Sequence, residues 1–143
     1  MLYDFLEDVA TADIAFRAWG KDLQEVFKAA GDATINTMIE DLDSIELKET
    51  RTFHLEDDQL DLLLFNFLQE LVYYKDSELL LLRSQQIEFE EKQGKHYLNA
   101  VLQGERLDRD RHQQRVDVKA VTLHLFQLEK TNDGWTAMVI LDI

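Results

Sequence analysis

Residues 134–143 read Gly-Trp-Thr-Ala-Met-Val-Ile-Leu-Asp-Ile, and this run decides the fold. Trp135, Ala137, Val139 and Leu141 fall on one face of an extended chain, Met138 and Ile140 on the other. A strand that is apolar on both faces belongs inside a sheet, covered from both sides. Asp142 then ends a buried strand, where a carboxylate is costly unless a cation or hydrogen-bond donors offset it. A second acidic motif, Thr11-Ala12-Asp13-Ile14, lies near the start, between the apolar runs Tyr3–Leu6 and Ile14–Trp19. If both motifs enter one sheet, the carboxylates of Asp13 and Asp142 and the terminal group of Ile143 converge. Carboxylate and carbonyl oxygens select hard cations and admit Ca²⁺, Mg²⁺ and Mn²⁺. Taken alone, Asp13 also reads as a turn residue hydrogen-bonded to nearby amides.

Working inward from these strands, Asp22 with Glu25 three residues on has the spacing of a helix capping box. Leu23, Val26, Phe27, Ala30 and Met38 follow at mostly helical spacing, so a helix is expected from about Asp22 to Ile39. Thr50–Leu55 alternates as a strand. Asp57 and Asp58 are placed to cap a second helix bearing Leu60, Leu63, Leu64, Phe67, Leu68 and Leu71, a broad core-facing stripe. Beyond it the period changes. Ile87–Glu91 and Tyr97–Leu102 flank a turn at Gln93-Gly94, and Val118–Leu128 joins Trp135–Ile143 across Asn132-Asp133-Gly134, a hairpin signal.

A chain of 143 residues with no linker, repeat or low-complexity tract is expected to form one domain, residues 1–143. Its formal net charge of −14 disfavours independent binding to a nucleic-acid backbone, where affinity comes from cations displacing counterions. A basic protein partner or bound metal ions suit that field; so does the plainer role of keeping the chain soluble. The absence of cysteine excludes disulfides, thiolate chemistry and Cys-based zinc sites. The acidic N-terminal residues do not resemble a signal peptide, and the Leu79–Leu82 run is too short to span a bilayer. A cytoplasmic location with no membrane association is therefore expected.

There is no phosphate-cradling glycine loop, no His-Glu-x-x-His pair, and Ser44, Ser77 and Ser84 sit in no nucleophile elbow. His124, lying in a strand, reads first as a hydrogen-bonded structural residue. Asp41 and Asp43, after the first helix, are either a supplementary acidic contact or solvated loop carboxylates. The mixed charges of residues 104–119, including Arg106, Arg109, Arg111 and Arg115, read as an exposed loop.

The order of motifs is more specific than any one of them. Thr11-Ala12-Asp13-Ile14 precedes Phe16-Arg17-Ala18-Trp19-Gly20. Leu68-Gln69-Glu70-Leu71 precedes Asp76-Ser77-Glu78, and Val118-Lys119-Ala120-Val121-Thr122-Leu123-His124 precedes the Leu141-Asp142-Ile143 ending. Across essentially its whole length the chain resembles the archease family. The resemblance implies an α+β fold with two main helices packed on a β-sheet and C-terminal antiparallel hairpins. It implies a protein cofactor, not a catalyst, that activates an RtcB-type RNA ligase in tRNA splicing and RNA repair. That ligase uses GTP and a divalent metal to guanylylate its own histidine, and the archease promotes this step and repeated turnover. The resemblance further implies a metal site at Asp13, Asp142 and the main-chain oxygens of Ile143. Lys119 and His124 match other characteristic positions, with Lys119 as a partner- or phosphate-contacting charge. Two departures stand out: Ala10 occupies the place where the family commonly has His, so any role of that His is either lost or taken by Asp8. Asn66-Phe67-Leu68 replaces an Asp-Trp-Leu-like stretch. The competing expectations are a chaperone-like module for nucleic-acid enzymes and a stand-alone metal-dependent phosphoesterase.

Overall fold

The computed structural model describes residues 1–7 and 13–143. Strands β1 (Tyr3–Leu6) and β2 (Asp13–Gly20) lead into helix α1 (Leu23–Met38) and a 3₁₀ turn at Leu42–Ser44. Strand β3 (Glu49–Asp57) and helix α2 (Leu60–Glu78) follow. The chain ends in β4 (Leu80–Lys92), β5 (Lys95–Arg106), β6 (Ala120–Thr131) and β7 (Gly134–Asp142). The strands form two antiparallel sheets, one ordered β1-β2-β7-β6 and the other β3-β5-β4. The single sheet expected from sequence is thus divided in two. The helices lie between: α1 packs on β2, β7 and β4, while α2 packs on β6, β3 and β4.

That middle position explains the composition of α1. Its burial runs almost unbroken from Val26 to Met38, so an all-round small-residue surface (Ala29, Ala30, Gly31, Ala33, Thr34, Thr37) replaces the usual polar face. Asp22 caps the helix by accepting from the Glu25 amide at 2.9 Å, and Glu25 accepts in return from the Lys21 amide at 2.9 Å. The box is thus half formed: Asp22 caps as expected, while Glu25 reaches one residue further back, to Lys21 rather than to the amide of Asp22 itself. Phe27 joins the layers, meeting Phe89 of β4 edge-to-face at 4.8 Å and Phe67 of α2 at 5.6 Å. Asp32, the one buried charge on α1, is held by both Nε and Nη2 of Arg83, at 3.3 and 3.2 Å.

As the last residues require, β7 is an interior strand, flanked by β2 and β6. Its inward side chains Val139 and Leu141 are fully enclosed with Phe16 and Ala18 of β2. The cover on its two faces is unequal, however. Helices close one face; on the opposite face Ile140, paired with Ala15, is fully buried, while Met138 stays half-buried beside exposed Arg17. At the β6–β7 hairpin Gly134 passes so close to β2 that a Cβ there would stand 2.1 Å from the Gly20 carbonyl oxygen. No side chain fits.

One expectation is corrected in detail. Neither Asp57 nor Asp58 caps α2; the cap position is Gln59, without a side-chain hydrogen bond, and Asp57 instead accepts from the Gln59 amide. Helix α2 ends at Leu79, whose φ of 55° lies in the left-handed region normally given to glycine. A β-carbon there costs about 1–2 kcal/mol, and the half-exposed leucine gains little burial in return. Leu79→Gly is expected to raise stability by about 1 kcal/mol, read as a higher urea midpoint at unchanged slope. A lower midpoint would show that the leucine side chain outweighs its backbone strain.

Candidate functional site

Antiparallel pairing of β2 with β7 sets Asp13 directly opposite Asp142. Residues so placed share a face, with Cβ atoms about 4.5–5.5 Å apart, and like charges there repel. Among the described residues no lysine, arginine or histidine forms an ion pair with either carboxylate. Both residues are half-buried, as is Ile143 beside them. On the other side of β7, Ala120 pairs with Asp142, and the Lys119 amide donates to the Asp142 carbonyl at 2.8 Å. Asp13, Asp142, Ile143 and Lys119 are therefore gathered at one end of the first sheet.

The donor chemistry fits a hard cation in part. Two opposed carboxylates and neighbouring main-chain oxygens are the right ligand type. Among the described residues, however, no group of three His, Cys, Asp or Glu side chains is arranged to hold a metal. Oxygens of Ile143, water or a partner would have to complete the shell.

The other candidates are distributed differently. His124 is exposed in an irregular stretch of β6, where the pairing jumps from Thr122–Ile140 to Gln127–Met138. Asp41 caps the 3₁₀ turn, accepting from the Asp43 amide at 3.0 Å. It lines a groove with Leu2 and Tyr3, and Tyr3 pairs with Ala18. That is five residues along β2 from Asp13, roughly 17 Å at about 3.4 Å per residue. Asp41 is not part of the Asp13–Asp142 site. Asp8, and the Ala10–Thr11–Ala12 stretch, lie outside the described residues.

Sequence reasoning missed the residues that fix Lys119 in place. Lys75 of α2 is only 6% exposed, and its ammonium donates to Asp117 Oδ1 at 2.6 Å and to the Val118 carbonyl at 2.7 Å. Burial alone would pull its pKa down, but hydrogen bonds to Asp117 and Asp76 raise it above the ordinary lysine value. Gln69, one turn and a half earlier on α2, accepts from the Val121 amide at 3.0 Å. Together they fasten the start of β6 to the helix. Only Gln69 had a sequence signal, as part of the Leu-Gln-Glu-Leu motif.

The preceding loop is also less exposed than its charges suggest. Glu105, His112 and Val118 are buried. Glu105 receives hydrogen bonds from Arg111, from the Glu46 amide and from His112 Nε2 at 3.1 Å. His112 Nδ1 accepts from the Asp108 amide at 2.9 Å, so the ring proton sits on Nε2 and points at Glu105. The Arg111 hydrogen bond overcomes the effect of burial and, aided by Glu46 and His112, lowers the Glu105 pKa from its ordinary 4.5 to about 2. A carboxyl whose pKa is depressed by folding stabilises the native state fully above its unfolded value. That contribution fades as pH falls from 4.5 toward 2. Glu105→Gln should therefore be less stable at neutral pH, and the gap to the wild type should narrow through this window in urea titrations. A gap independent of pH would exclude the ionised clasp.

The model of the Archease protein family (MTH1598/TM1083) matches residues 3–143. An archease of Pyrococcus abyssi is 37% identical over 134 residues, covering 93% of this chain and 94% of that one. An archease of Methanosarcina acetivorans is 37% identical over 142 residues, covering 99% and 95%. The solution structure of Methanobacterium thermoautotrophicum protein 1598 superposes with a TM-score of 0.86 at 31% identity, with 99% of both chains covered. A Thermotoga maritima archease, described as a possible chaperone, gives 0.66 at 18% identity, covering 94% and 93%, a likeness of fold alone.

Proposed function

The chain belongs to the archease family, and from that premise we propose that it activates an RtcB-type RNA ligase as a metal-binding protein cofactor. The observation that carries this reading is the register of β2 on β7, which opposes Asp13 and Asp142 with no protein cation between them among the described residues. Two facing carboxylates repel each other, so binding a divalent cation removes a native-state penalty while creating the site. Asp13 and Asp142 would hold the ion, with main-chain oxygen from Ile143. When bound, it would neutralise phosphate charge near the reacting nucleotide.

The remaining residues orient and present this site. Lys75 and Gln69 tie residues 117–121 to α2, and the Lys119 amide ties the same segment to Asp142. Lys119 leaves its ammonium exposed at the rim, where it can meet a phosphate. The net charge of −14 suits docking on the basic RNA-binding face of a ligase and disfavours RNA binding by this chain itself. Covalent chemistry would belong to the ligase, and Ca²⁺, Mg²⁺ and Mn²⁺ all suit the oxygen donors.

The chaperone-like alternative draws on the description of the Thermotoga maritima relative and on the acidic surface. Multiple-turnover RNA ligation by the partner ligase separates the two. The wild-type chain is expected to accelerate turnover, and Asp13→Ala to lose at least about tenfold of that effect, as removal of a charged ligand generally does. Full acceleration by Asp13→Ala would move the work to a docking or chaperone role.

A further inference from the structure

Asp13 and Asp142 are the end pair of the β2–β7 ladder, and two facing carboxylates push such an end apart. A cation site needs the opposite, with donors already held together when the ion arrives. Main-chain bonds on the far side of β7 supply one restraint. The Lys119 amide donates to the Asp142 carbonyl at 2.8 Å, and Ala120 pairs with Asp142. Strand β6, however, is the outer strand of its sheet. What holds residues 117–120 therefore decides how firmly Asp142 is held.

The segment is fastened on both sides of this stretch. Arg115 and Val116 donate to the carbonyls of Met38 and Thr37 at the end of α1, at 2.8 and 3.3 Å. Val121 donates to Gln69 of α2 at 3.0 Å. Between these anchorages Lys75 donates to Asp117 and to the Val118 carbonyl, immediately before Lys119. Stability alone does not call for a lysine there. Leu64, Leu68 and Leu71 line the buried stripe of α2, and Lys75 takes the next place on it, four residues after Leu71. A well-packed apolar side chain in place of a buried ion pair is often neutral or stabilising. It has nothing with which to grip a carbonyl. Asp76 and Asp117, the two carboxylates beside the ammonium, are mostly exposed and need no buried partner. The buried bond to the Val118 carbonyl is what only a donor can make.

We infer that Lys75 is a positioning residue for the Asp13–Asp142 cation site, anchoring residues 117–118 so that the Lys119 amide keeps Asp142 opposed to Asp13. The inference rests on the cation reading above and assigns that site its support. The partners of the ammonium are Asp76, Asp117 and Val118, not the candidate ligands, so its action is indirect. It works against the repulsion of the two carboxylates, which is greatest when no ion is bound. Without it the end pair opens, and part of the free energy of ion binding goes into closing it again. Affinity falls although every ligand remains.

The test is Mn²⁺ binding to the isolated full chain, read by electron paramagnetic resonance, with amide hydrogen exchange followed in the ion-free protein. Lys75→Met should weaken Mn²⁺ binding about tenfold, the scale for partners that support metal ligands. Asp117→Asn, at an exposed position, should act in the same direction with little effect on folding. Exchange at the Lys119 amide should quicken in Lys75→Met. Adding Asp13→Asn removes the repulsion and should return that exchange to within about twofold of wild type. Asp22→Ala, which removes the α1 cap and destabilises the chain elsewhere, should leave Mn²⁺ affinity within about twofold. Unchanged affinity in Lys75→Met and Asp117→Asn, beside a wild-type chain that binds saturably, overturns the positioning role alone. Fast Lys119 exchange that Asp13→Asn does not slow also overturns it, because the lysine then supports the fold and not the pair. A wild-type chain that binds no Mn²⁺ saturably overturns the cation reading and this role with it.

Discussion

The pairing of β2 with β7 is the constraint on which the rest of the molecule depends. It joins residues from near the two ends of the sequence, Asp13 with Asp142 through Gly20 with Trp135, in eight consecutive register pairs. Contacts of such sequence separation carry a large loop-closure cost and form late unless hydrophobic burial rewards them. The reward is visible in Phe16, Ala18, Val139 and Leu141, which meet on the inner face without solvent exposure. A slip of one residue by β7 would turn Val139 and Leu141 away from Phe16 and Ala18 and send Asp142 toward the helices, separating the two carboxylates. Core packing thus fixes the geometry of the acidic pair.

The helices transmit the same constraint to the rest of the site. Because α1 is sandwiched between two sheets, its surface must be apolar or small nearly all round, and its single buried acid must be matched by Arg83. Helix α2 then has one side free to grip the segment entering β6. A buried ammonium at Lys75 would be costly alone; three oxygen partners make it a fastening instead. The acidic pair, the Lys119 amide and the α2 fastening form one mechanical chain from the core to the rim.

Much of this was legible because it is written in local patterns. The two-faced apolar run of 135–141 announced an interior strand, Asp22 with Glu25 announced the start of α1, and Gln93-Gly94 supplied the two consecutive positive φ angles of a tight hairpin turn. The resemblance singled out Asp13 and Asp142, which the register of β2 on β7 sets opposite each other. What escaped were long-range polar pairings, which leave no periodic trace: Lys75 with Asp117, and Glu105 with Arg111 and His112. The charge-rich 104–119 segment therefore looked wholly exposed although Gly104, Glu105, His112 and Val118 are buried. The division into two sheets escaped for a similar reason, since alternation tells which face a residue takes but not which strand it pairs with.

The central claim is that opposed carboxylates on β2 and β7 form a divalent-cation site. The most direct measurement is a titration of the isotope-labelled protein with Mn²⁺, followed by paramagnetic broadening of its backbone amide resonances. The account predicts saturable broadening centred on Asp13, Lys119, Ala120, Asp142 and Ile143, abolished by Asp142→Asn. Broadening centred on Asp41 and Asp43, or spread over the acidic surface without saturation, would contradict it.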